Sequence, residues 1–89
     1  TVTIKKGQSV TWVNNSSSPM DVASGSHPDH TTYDGTARTT HCAAGYTGPT
    51  PFDQCTPSSS YTFTFTKVGT WMYHNHAGVQ DSGTVVVTQ

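Results

Sequence analysis

The sequence predicts an all-β fold, a Greek-key β-sandwich or small barrel with one long disulfide-stapled loop. Three observations carry that prediction. Thr, Ser and Gly abound while Ala, Leu and Glu are scarce, which favours strands and turns over helices. Apolar and polar residues alternate in several short runs that Gly-, Ser-, Asn- and Pro-rich turns separate. No stretch shows helical spacing, and no repeat or heptad is present.

Val2-Thr3-Ile4-Lys5 alternates and ends in the Lys6-Gly7-Gln8 turn. Ser9 to Asn14 resumes the pattern with Val10 and Trp12 on one face. Asn15-Ser16-Ser17-Ser18-Pro19 is a turn cluster, and Met20 to Ala23 reads as a weak strand. Tyr61 to Thr66 alternates without a fault, aromatic residues inward and threonines outward. Lys67-Val68-Gly69 turns the chain into Thr70 to His74, and Gly83 opens a closing strand, Thr84 to Thr88. These five or six strands are expected to pair antiparallel. Between them lie residues 25 to 59, rich in Gly, Ser, Thr, Pro, His and Asp, a length uncommon for a structureless loop in a compact domain. It is expected to fold over a functional site.

Eighty-nine residues make one small domain, 1–89, marginal without cross-links or metal. Four basic against five acidic residues give a net charge of −1, which argues against nucleic acid or an anionic membrane as partner. No apolar run reaches the ~20 residues of a membrane span. Cys42 and Cys55 could form a disulfide, a thiolate ligand pair or two free thiols. Their spacing is too long for a CxxC motif and the loop needs a staple, so a disulfide is expected. A disulfide in so small a domain implies an oxidising compartment: extracellular, periplasmic or cell-surface. Export in turn implies a leader, with a linker or anchor, ahead of residue 1.

The chemistry points to metal. In "WMYHNHAGVQ", His74 and His76 lie two apart, which on a strand means one face and a separation of about 6.7 Å. Two imidazoles leaning from there can converge on one ion at ~2.0–2.1 Å. Alternation turns Trp71 and Tyr73 to the core and Met72, His74 and His76 to the outer or rim face. A second pair, His27 and His30, flanks a proline in the long loop, where a turn can present both rings on one side. The bland alternative is four solvent histidines; two chelating pairs in one short chain favour a metal. His41, next to Cys42, reads as a solvent residue before a fifth candidate ligand. Other chemistries lack their parts: there is no GxSxG elbow, no Glu for a carboxylate pair and no Gly-rich phosphate loop. Asn14-Asn15-Ser16-Ser17 holds two glycosylation sequons.

"VTIKKGQSVTWVNNSSSPMDV" followed by "YTFTFTKVGTWMYHNH" and "GTVVV" resembles the cupredoxin, or plastocyanin-like, family over residues 1–24 and 60–89. The resemblance implies a Greek-key sandwich and copper. It also places the blue-copper ligand positions of that family on Met20, Asn75, Gly78 and a residue near Asp81, none of them the usual ligand. Without a Cys thiolate the intense blue site, and electron transfer by that route, are not expected. "GTWMYHNHAGVQD" resembles a first-domain segment of multicopper oxidases, matching His74, His76 and Gln80, where both histidines bind copper outside the sandwich.

The expectation is a monomeric, exported, copper-binding protein with a non-blue mononuclear site at His27, His30, His74 and His76, handling Cu(II) and Cu(I). Its role would be storage, delivery or slow redox chemistry beside a redox or copper-delivery protein; Met72 reads as a buried edge residue before a soft axial ligand. Zinc is the alternative metal. A small copper oxidase and a metal-free adhesive module are the competing classes.

Overall fold

The computed structural model describes residues 1–25 and 31–89, with 78–81 described through their backbone. The strands are β1 (Val2–Lys5), β2 (Ser9–Val13), β3 (Val22–Ser24), β4 (Ser60–Thr64), β5 (Gly69–Asn75) and β6 (Gly78–Thr88). One sheet has the order β1-β6-β5-β3 and the other pairs β2 with β4. The chain therefore changes sheet at each of its first four strand connections, and only β5 and β6 form a hairpin within one sheet. This is the all-β sandwich the alternation predicts.

Register follows the pleat. Val10 faces Phe63 and Trp12 faces Tyr61 across β2 and β4, while Ser9 and Thr11 join Thr64 and Thr62 through hydroxyl bonds of 2.7 and 2.8 Å on the wet face. Phe63, Phe65, Val85, Val87 and Val22 fill the space between the sheets, with Ile4, Trp12, Trp71 and Tyr73 around them. Trp12 meets Tyr73 edge-on at 5.2 Å and Phe52 meets Phe65 edge-on at 4.9 Å, both within the range that favours aromatic pairs. The Tyr73 ring lies over Gly83, its partner in β6, so closely that a Cβ there would collide with it.

Two expectations need correction. The pairing is not wholly antiparallel, because β1 runs parallel to β6, Val2 opposite Val85 through Lys5 opposite Thr88. A crossover between sheets, rather than a hairpin, brings these two chain ends together. The last strand starts at Gly78 and not at Thr84, because the β5–β6 connection is tight and pairs Asn75 with Gly78.

The long stapled segment also contributes to the interior. Phe52 and Tyr33 are core residues, and Tyr33 touches Trp71 edge-on at 4.8 Å. Asp53 bridges Ala23, and a single helical turn, α1 (Arg38–His41), sits between them in sequence. A four-residue helix is too short to leave a periodic signature. The expected staple is present, Cys42 to Cys55, with Cα atoms 5.5 Å apart.

Candidate metal centre

The β5 histidines take their positions from the pairing of β3 with β5, which sets Ala23 opposite His74 and Val22 opposite Asn75. Trp71 and Tyr73 pack on the core, as alternation requires, and Met72 on the other face is 49 % exposed. His74 shares the Met72 face by alternation but is only 2 % exposed. The expectation of a rim-exposed ring is thus corrected. Alternation decides which face a side chain takes and says nothing of what covers that face.

Part of the cover comes from Gly25. Its amide donates to Met72 O at 2.7 Å, and its φ of +80° lets the chain leave β3 across the sheet edge. The Gly25 carbonyl stands 2.8 Å from His74 Nδ1. A carbonyl can only accept, so Nδ1 carries a proton, and in the neutral form of such a ring Nε2 holds the lone pair. A backbone carbonyl on one imidazole nitrogen is the usual support of a histidine that binds metal through the other.

His76 follows a register shift between His74 and Asn75 and is half-buried in the hairpin turn. Its backbone N–H donates to Asp21 O at 2.7 Å. The two imidazole centroids are 6.1 Å apart. Rings sharing one ion through bonds of ~2.0–2.1 Å have centroids roughly 4.5–6.4 Å apart, so this spacing fits a wide N–metal–N angle. His27 and His30 lie outside the described residues, as do the side chains of Gln80 and Asp81.

Asn75, on the position that the family resemblance assigns to a cysteine ligand, is engaged with backbone. Its Oδ1 accepts from Asp21 N at 2.9 Å and from Ala77 N at 3.1 Å, and its Nδ2 donates to Pro19 O at 3.2 Å. It ties the 19–21 segment to the hairpin. A cavity of about 250 Å³, lined by Trp12, Met20, Tyr73 and Asn75 among others, opens beside it.

His41, expected in solvent, is 5 % exposed and is the centre of a polar cluster. Nε2 donates to Asp53 Oδ2 at 2.6 Å. The Thr36 hydroxyl gives its proton to Asp34, so its oxygen accepts from Nδ1 at 3.0 Å. Both ring nitrogens act as donors. Arg38 completes the cluster, donating to Asp53 Oδ1 at 2.7 Å, Asp21 Oδ2 at 2.6 Å and Cys55 O at 2.8 Å. A sequence signal for this was available. In a chain so poor in charge, the only arginine and three of the five aspartates lie in the long segment, with a fourth, Asp21, just ahead of it. Nearby, burial first and the charge of Asp53 second hold the Tyr61 phenol above the ordinary tyrosine range.

No protein-family model matches the chain, and no curated protein matches it. Solved structures do. A copper(I) form of an amicyanin variant aligns with TM-score 0.58 and 24 % identity over 97 % of this chain and 67 % of that one. A purple cupredoxin from Nitrosopumilus maritimus aligns with TM-score 0.65 and 19 % identity over 98 % and 76 %. Identities this low speak for architecture, and the architecture of this chain is cupredoxin-like.

Proposed function

We propose that the protein binds one copper ion in a non-blue, histidine-rich mononuclear site, with His74 and His76 as the core ligands and His27 and His30 as the loop ligands. The observation that carries this reading is the His74 Nδ1–Gly25 O bond, which turns the other ring nitrogen to an acceptor role in a ring whose centroid is 6.1 Å from that of a second imidazole. Imidazole donors suit Cu(II), and the Irving–Williams order sets copper above zinc at such a site. The named neighbours also speak for copper, since one is a copper(I) amicyanin and the other a purple cupredoxin. The engaged Asn75 side chain supports a site unlike the blue-copper one, because no thiolate stands at that position. The role we assign is copper storage, delivery or slow redox exchange with a protein partner, in an exported setting. No helix among the described residues is long and apolar enough to cross a membrane.

One equivalent of Cu(II) should give an electron paramagnetic resonance spectrum with nitrogen couplings and no intense visible thiolate absorption. His74→Ala and His76→Ala should each weaken binding by more than the about 10–100-fold that loss of an outer-shell partner costs. Variants that titrate like the parent would refute the site. Zinc retained against an excess of copper would change the metal and leave the ligands standing.

A further inference from the structure

Four potential donors meet beneath the long segment. An imidazole nitrogen of His41, a carboxylate oxygen of Asp53 and the sulfurs of Cys42 and Cys55 all lie within 4.8 Å of one another. Tetrahedral zinc with bonds of ~2.0–2.3 Å needs ligand atoms roughly 3.3–3.8 Å apart. In the disulfide form the sulfurs are bonded to each other and offer no thiolate. We propose that reduction of Cys42–Cys55 converts this cluster into a Cys₂HisAsp site for Zn(II), so that a metal replaces the covalent staple.

The geometry favours this because the S–S bond is not what positions the cysteines. Cys42 follows α1, and its amide donates to Arg38 O at 2.9 Å. The Cys55 amide donates to Asp53 Oδ1 at 3.1 Å, and the Cys55 carbonyl accepts from Arg38 at 2.8 Å. Phe52, beside Asp53, is anchored in the core. Both thiols therefore stay close to His41 and Asp53 once the bond opens. Charge also closes: two thiolates and a carboxylate around Zn(II) leave one negative charge, which Arg38, 2.7 Å from Asp53, offsets.

The reaction is thiol–disulfide exchange with a small dithiol. Two electrons and two protons pass to the Cys42–Cys55 bond, which breaks, and the dithiol closes to its own disulfide. Zinc then displaces both thiol protons, and the proton on the ligating His41 nitrogen, to solvent. The half-buried cysteines leave a path for the reductant.

The test uses the His74→Ala/His76→Ala protein, so that its result does not depend on the copper site proposed above. After dithiol reduction and removal of the reductant, Co(II) serves as the optical probe and Zn(II) as its competitor. The expected result is a thiolate-to-cobalt charge-transfer band at one equivalent, absent from the oxidised protein and from Cys42→Ser/Cys55→Ser, and abolished by Zn(II). Zn(II) should also return the melting temperature lost on reduction. His41→Gln should weaken Zn(II) binding to the reduced protein by at least about tenfold. Absence of the band in the reduced protein, or a Zn(II) affinity unchanged by His41→Gln, overturns the proposal. Should His41→Gln fail to fold, Asp53→Asn takes its place, with the same loss expected and the same unchanged affinity counting against it.

Discussion

His74 and His41 are both buried histidines held by hydrogen bonds, yet their surroundings suit them to opposite tasks. His74 donates Nδ1–H to a neutral carbonyl, which in the neutral ring leaves the lone pair on Nε2. His41 donates from both nitrogens, to the Asp53 carboxylate and to a threonine oxygen, and in the oxidised protein serves as a clamp. What an imidazole can offer a metal is set by the groups on its other side, and burial alone does not distinguish the two. His41 clamps a loop; His74 is the ring we propose for the metal.

The largest way to break the clamp is Asp53→Ala. It takes one of two carboxylates from the Arg38 guanidinium and the carboxylate bonded to His41 Nε2, contacts of 2.7 and 2.6 Å. Breaking a buried ion pair from one side costs about 3–5 kcal/mol, to be read as a lower denaturant midpoint. Replacing both cysteines by serine removes the closure of a 13-residue separation and should cost about 3 kcal/mol in the same measurement. His76→Ala should instead leave the midpoint nearly unchanged and lower copper affinity tenfold or more, equivalent to at least about 1.4 kcal/mol of binding. His41→Gln should do the reverse, losing stability while copper titrates as in the parent. If His41→Gln abolished copper binding, the division of labour between the two histidines would be wrong.

The smallest effect is alkaline. Tyr61 stays protonated in the folded protein at pH values where an ordinary phenol ionises. The unfolded phenol ionises near pH 10, so the contribution of Tyr61 to stability is intact below that pH and is lost as pH rises toward the folded value. In an ultraviolet titration one of the four tyrosines should ionise after the others, and Asp53→Ala should bring it earlier.

The sequence-based reading recovers the sandwich because a strand writes itself locally, residue against residue at period two. Tyr61 to Phe65 and Trp71 to Tyr73 needed no knowledge of the rest of the chain to be oriented. The central segment works otherwise. Tyr33, Arg38, Phe52 and Asp53 each act singly, through partners in distant strands, such as Tyr33 with Trp71 and Arg38 with Asp21. No periodicity announces such contacts. His74 shows the boundary between the two cases: its face was legible from alternation, but its cover was not, because Gly25 reaches it from far along the chain. The cysteine pair was legible from spacing and the loop's need for a staple, whereas its neighbours His41 and Asp53 required the fold to bring them together.

Arg38 holds Asp21, Asp53 and the Cys55 carbonyl with one guanidinium, and Tyr33 before it and Phe52 after it in sequence are sunk between the sheets. Segments fastened in this way do not open separately. Lifting Tyr33 or Phe52 exposes the interior, so the buried amides around them should exchange with solvent only in openings that also disrupt the strands. Limited proteolysis should therefore spare the stretches around Tyr33, Arg38 and Phe52, where composition alone suggests an easy cut.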